Sequence, residues 1–181
     1  GNNIIYEDRS LTVNTVPLKH RLPCVGFVFR EKQKLRHINN EMTRFHQVPV
    51  SLMQSIKEGC DFVKQDGTVI PNEMLTTPPD PQRSYAYISD TLPLKAVASE
   101  EKGIDLLYHE ATFLSNLSAR AKQTCHSTAA EAARIAKEAG VRRLVIGHFS
   151  SRYLNESPLL EEARQIFPDT SLARELLTFE I

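Results

Sequence analysis

The sequence predicts an α/β fold, a mixed sheet carrying helices, on three observations. Short apolar runs at 85–88, 104–108 and 144–147 alternate with helix-like segments over the last hundred residues. Each run leads into a polar cluster: Ser89-Asp90-Thr91, His109-Glu110-Ala111-Thr112 and His148-Phe149-Ser150-Ser151-Arg152-Tyr153. Residues 4–16 alternate at period two ahead of another apolar run, the pattern of an antiparallel pair. Polar groups at the carboxyl ends of strands converge along one sheet edge, where α/β folds place ligand and catalytic groups.

Taken in order, Ile4-Ile5-Tyr6 and Leu11 to Val16 read as one or two strands that Pro17 ends. Lys19-His20-Arg21 forms the corner, and Cys24 to Phe29 is the antiparallel partner. The character changes from residue 31. Leu35 to Phe45 is mixed and charged, with helical potential, and Pro49-Val50-Ser51 opens a helix that stops at Gly59. Asp66-Gly67 between two apolar triplets marks a hairpin, and Pro78-Pro79-Asp80-Pro81 breaks the chain. Residues 31–81 read as an arm-like excursion from a single domain over 1–181, too poor in apolar residues for a core of its own. Beyond it, Leu94 to Glu101 is expected as helix and Ile104 to Tyr108 as strand. Thr128 to Ala139 is expected as helix, with Thr128 and Glu131 spaced as a capping box and Gly140 at its stop. Leu144 to Gly147 should be strand, Leu159 to Phe167 helix and Leu176 to Ile181 a last strand.

At 181 residues the chain can bury a sizeable core, and 41% hydrophobic with 24% charged residues is ordinary for a soluble protein. The formal net charge is zero, so attraction to a nucleic acid must come from local patches such as 19–21, 30–36 or 142–143. No secretory signal or long apolar span is visible, which argues against a membrane role. Cys24, Cys60 and Cys125 lie far apart without CxxC spacing; the pattern fits a reducing cytoplasm rather than a disulfide framework. The first residue is Gly1, which suggests part of a longer chain.

His20, Asp90 and His148 suit a zinc site, because imidazole and carboxylate both ligate Zn²⁺ and a carboxylate can bridge two ions. Asp90 serves equally as a helix cap, and His148 as a hydrogen-bonded loop residue. Glu110 can orient an imidazole that protonates a leaving oxygen or holds a phosphate, with His126 a candidate. The amides of Ser127 and Thr128, at a helix start, can bind an anion. Arg152 can meet a phosphate or the sheet edge, and serves equally as a buried structural arginine. His37 and His46 lie in the excursion without spaced partners and read as surface residues.

These clusters arrive in a particular order: Pro17-Leu18-Lys19-His20 with Gly26-Phe27, Ser89-Asp90-Thr91, His109 to Phe113, His126-Ser127-Thr128, and His148 to Tyr153. That order resembles the ribonuclease Z family, tRNA 3′-processing endonucleases of the metallo-β-lactamase superfamily. The resemblance implies the second half of an αββα sandwich and a two-zinc centre. His20 would bind one zinc, His148 the other, and Asp90 would bridge them. Glu110 and His126 would assist the leaving group, while a zinc-bound hydroxide attacks the phosphorus of a precursor tRNA. Related readings are a general zinc phosphodiesterase and a non-catalytic tRNA-binding or dimerisation module.

Two departures stand out. The family's HxHxDH signature occurs nowhere in the chain. The three remaining ligands supply two donors to each metal, below the three or four of a stable zinc site. The isolated chain is therefore expected to bind zinc poorly and to be inactive. Where the family arm is often Gly-Pro-rich, this chain reads Gln47-Val48-Pro49-Val50-Ser51. Half a sandwich would also leave an apolar sheet face open, so a homodimer or larger homo-oligomer is expected.

Overall fold

The structure, a computed structural model, describes residues 3–94 and 102–181. The helix expected over 94–101 lies outside them but for Leu94. In chain order the strands are β1 (Asn3–Glu7), β2 (Leu11–Pro17), β3 (Val25–Glu31), β4 (His37–Ile38), β5 (Phe62–Val63) and β6 (Val69–Ile70). There follow β7 (Thr76–Thr77), β8 (Ser84–Ile88), β9 (Leu106–Glu110), β10 (Arg143–Gly147) and β11 (Thr170–Leu172). The helices are α1 (Asn40–Phe45), α2 (Met53–Lys57), α3 (Asn72–Leu75), α4 (Ser118–Thr124), α5 (Ala129–Ala139) and α6 (Ser157–Arg164). The chain divides into two compact units, Gly1–Glu31 with Arg83–Ile181, and Lys32–Gln82.

The larger unit is built on a seven-stranded sheet of order β1-β2-β3-β8-β9-β10-β11. Strands β1, β2, β3 and β8 pair antiparallel, and β8 to β11 pair parallel. Period-two alternation then sorts side chains to two faces. Val28, Ala86, Ile88, Leu107, Leu144 and Ile146 are buried with α5 and α6 in one core. Helix α5 offers Ala129, Ala132, Ala133, Ala136 and Ala139 to that core; a row of methyl groups lets helix and sheet approach closely. The expected capping box is present, since Thr128 accepts from the Glu131 amide while Glu131 accepts from the Thr128 amide. Gly140, at φ +62°, ends the helix in the left-handed region.

The opposite face is aromatic and half-exposed. Phe29 stacks on Tyr85 with ring centroids 5.7 Å apart, and Tyr87 on Tyr108 at 4.7 Å. Burial, with the neighbouring tyrosines, pushes the Tyr108 phenol up to about 12. The last strand expected at 176–181 does not form. Residues 170–172 take the place beside β10, and a turn with Leu176 at φ +64° redirects the tail. Leu177, Phe179 and Ile181 instead line a cavity of about 340 Å³ with Tyr85, Leu106, Tyr108 and Val145. Their apolar groups pack on the face rather than pair along an edge.

The unit 32–82 corrects another expectation. Val48, Ile56, Phe62, Ile70 and Leu75 are buried together, so this segment does hold a small core of its own. Buried Asn72 braces it by donating to the carbonyls of Ile56 and Cys60, at 2.7 and 2.8 Å. The helix expected from Leu35 begins only at Asn40, because the Asn39 side chain accepts from the amides of Glu41 and Met42 and residues 37–38 pair with 76–77. The stop at Gly59 and the Asp66-Gly67 hairpin are as expected. His37 is exposed and faces Asp80, whereas His46 is half-buried with its ring edge-on to Phe45.

Candidate metal and catalytic site

Strand β9 runs two residues beyond its expected end, because it pairs on both sides: His109 lies opposite Ile88 and Ile146, and Glu110 opposite Gly147. The chemistry therefore begins inside the strand. His109 and Glu110 are both fully buried yet differ in environment. The His109 ring keeps to its own main chain, Nδ1 standing 2.7 Å from the Glu110 carbonyl, and burial holds its pKa down. The carboxylate of Glu110 is a hub. It accepts from the Thr91 amide at 2.6 Å, the Thr112 hydroxyl at 2.6 Å and the Ser127 amide at 3.1 Å, and it faces His126 Nδ1 at 3.0 Å. A buried carboxylate requires such partners. So it is His126, not His109, that Glu110 orients.

The loop after β8 carries Asp90 at φ +57°, and His148 follows β10 at φ +59°. Non-glycine residues in the left-handed region are uncommon and cluster at functional sites. Two of them here turn their side chains toward each other, with His148 Nε2 3.3 Å from Asp90 Oδ1. Cys125 ends α4 at φ +62°, and its carbonyl lies 3.1 Å from His20 Nδ1. The rings of His20 and His126 are 5.0 Å apart, and those of His126 and His148 5.1 Å. One donor atom each from His20, Asp90 and His126 falls within 4.8 Å of the others, and the same holds for Glu110, His126 and His148. This set fits a metal: carbonyl and carboxylate hold Nδ1 of His20 and His126, leaving each Nε2 as the free donor.

The remaining expected residues are placed less directly. Ser127 and Thr128 are buried, and their amides are taken by Glu110 and Glu131. The Ser127 hydroxyl donates to the Thr91 carbonyl at 2.8 Å. Neither amide is open to an anion, because the capping box and the Glu110 hub consume them; both residues frame the site. Arg152 is exposed, with its guanidinium 5.1 Å from the Phe113 ring centroid and its Nε donating to Ser150 Oγ. It lines a cavity of about 330 Å³ with His20, Arg21, Arg120, Thr124 and His126, among others.

Sequence reasoning gave several contributors no role of their own. Thr91 ties the Asp90 loop to the His20 corner, accepting from the Lys19 amide at 3.1 Å. Arg120 lies on α4, a helix left unassigned from the sequence although Phe113, Leu117, Ala121 and Cys125 recur every four residues. Cys125 acts through a carbonyl, which any residue carries.

The fold is that of the metallo-β-lactamase class. A metallo-β-lactamase fold protein from Bacillus subtilis matches over 97% of this chain and 52% of its own, with a TM-score of 0.59 and 17% identity. The short form of human tRNase Z matches over 99% and 47%, with a TM-score of 0.56 and 21% identity. Within that fold the donor set could hold a metal ion. No protein-family model matches the chain.

In sequence this chain is similar to proteins named ribonuclease Z over nearly its whole length. It is 54% identical over 179 residues to ribonuclease Z of Bacteroides fragilis, and 47% identical over 178 residues to that of Porphyromonas gingivalis. These matches take in 99% and 98% of this chain but 59% of each relative, so the chain spans under two thirds of their length. Among the described residues no helix is long and apolar enough to cross a membrane.

Proposed function

We propose that this chain is the C-terminal part of a cytoplasmic ribonuclease Z, a zinc-dependent endoribonuclease that removes the 3′ trailer from precursor tRNA, and that it is inactive alone. The observation that carries this reading is the meeting of His20, Asp90, His126 and His148 around the Glu110 hub, in a chain 54% identical to a ribonuclease Z. His20 would hold one zinc, His148 a second, and Asp90 would bridge them. Bound zinc would supply Lewis acidity and a water made acidic enough to attack a phosphodiester. His126, with Nδ1 held by Glu110, presents Nε2, and a proton taken up there to form the imidazolium would then pass to the leaving oxygen. Arg152, with Arg21 and Arg120 in the same cavity, would hold a phosphate of the acceptor end.

The domain reading follows the same line: 1–181 is part of one metallo-β-lactamase-like domain, with 31–81 as an inserted arm, close to the compact unit Lys32–Gln82. Lys32, Lys34, Arg36 and Arg44 on that arm would meet tRNA phosphates, so binding should weaken steeply with salt. The half-exposed aromatic face would bring copies of the isolated chain together as dimers or larger oligomers. Free Cys24, Cys60 and Cys125 agree with a reducing compartment.

The test is cleavage of a 3′-extended precursor tRNA, with zinc, by this chain and by its full-length gene product. Cleavage at the mature 3′ end by the full-length protein alone is expected. If neither cuts but both bind tRNA, a non-catalytic tRNA-binding module replaces the nuclease.

A further inference from the structure

Three imidazoles of the site have Nδ1 held by the protein, but not by the same kind of group. The Cys125 carbonyl, 3.1 Å from His20, and the Glu110 carboxylate, 3.0 Å from His126, can only accept, so both rings carry their proton on Nδ1. The partner of His148 Nδ1 is the Thr112 hydroxyl at 2.9 Å, a group that can donate or accept. Geometry around His148 alone therefore leaves its tautomer open.

We infer that Thr112 is a positioning residue that fixes the tautomer of His148, because Glu110 claims the only proton of its hydroxyl. Thr112 Oγ1 lies 2.6 Å from Glu110 Oε2 and 2.9 Å from the His148 carbonyl. The carboxylate is the nearer acceptor and the charged one, and charge-assisted hydrogen bonds are about twice as strong as neutral ones. With its proton so directed, the oxygen offers His148 only lone pairs, and His148 must supply the proton from Nδ1. Its Nε2 then presents a lone pair to Asp90 Oδ1, 3.3 Å away. Two acceptors face each other there, and a cation between them satisfies both. Main-chain bonds hold the arrangement: the Ala111 amide donates to the Gly147 carbonyl at 2.8 Å, and the Ser150 amide to the Thr112 carbonyl at 3.1 Å. One buried carboxylate thus sets two histidines, His126 directly and His148 through a hydroxyl relay.

The inference deepens the metal-site reading and rests on it, yet the tautomer can be read whether or not any RNA is cut. The experiment is a long-range proton–nitrogen spectrum of the imidazole rings in the ¹⁵N-labelled chain at about pH 8.5, where histidines are neutral. Wild-type protein, Thr112→Val and Thr112→Ser are compared. His148 is expected to carry its proton on Nδ1 in the wild type, to become a mixture of tautomers in Thr112→Val, and to return to Nδ1 in Thr112→Ser. His20 and His126 keep their pattern throughout. A wild-type His148 protonated on Nε2 or mixed between the two nitrogens overturns the inference, and so does a Thr112→Val ring that stays on Nδ1. Should the valine variant not fold, the wild-type spectrum and the serine variant still decide it.

Discussion

The two faces of the seven-stranded sheet use the same strands and solve burial differently. One face is closed by α5 and α6, with Ile88, Leu107, Leu144 and Ile146 fully buried. The other leaves Tyr87 39% exposed and relies on stacked aromatic pairs and the C-terminal tail. Rigid aliphatic packing therefore belongs to one side of the sheet, and large adaptable contact area to the other. That asymmetry predicts where mutation should hurt.

The largest effect is expected from Leu144→Ala on the closed face, a loss of about 2–5 kcal/mol in urea unfolding, because the cavity cannot collapse beneath alanine-rich α5. An effect no larger than that of an exposed residue would break the contrast. Next comes Gly26→Ala, at about 1–3 kcal/mol. A Cβ there would meet the Ile88 side chain and stand 2.9 Å from the Tyr87 carbonyl, and backbone gives way less readily than a side chain.

His109 sharpens the comparison through pH. Its pKa is lowered by burial on the closed face, so below the ordinary range near 6.5 the unfolded chain binds the proton that the folded chain refuses. Stability should be intact above that range and fall as pH drops through it, by at most about 1.4 kcal/mol per pH unit. His109→Leu should flatten this slope relative to wild type in urea titrations from pH 5 to 8. An unchanged slope would place the imidazole in water. Smallest is Tyr87→Ala on the open face, below about 1 kcal/mol for a partly exposed side chain. Its larger consequence should be weaker self-association in sedimentation, and an unchanged association constant would remove that face from the contact.

Much of the fold was legible because its signals are local. The Thr128–Glu131 box, the Gly140 stop and the Asp66-Gly67 hairpin each depend on residues a few positions apart, and each stands where expected. The metal and catalytic candidates were legible as motifs at strand ends. Their partners were not. His20 meets the Cys125 carbonyl across 105 positions, through a group that every residue carries. The amides of Ser127 and Thr128 looked open to an anion, and only the assembled site showed two carboxylates already holding them. The small core of residues 32–82 was missed because five scattered apolar side chains form no periodic run.

Chain-local chemistry was enough for the alternation of strand and helix, the caps, and the identity of the side chains gathered at one sheet edge. The nitrogen each histidine presents and the course of the tail were tertiary decisions. Those outcomes depend on which donors and acceptors remain after the strands pair, and pairing joins residues that the chain holds far apart.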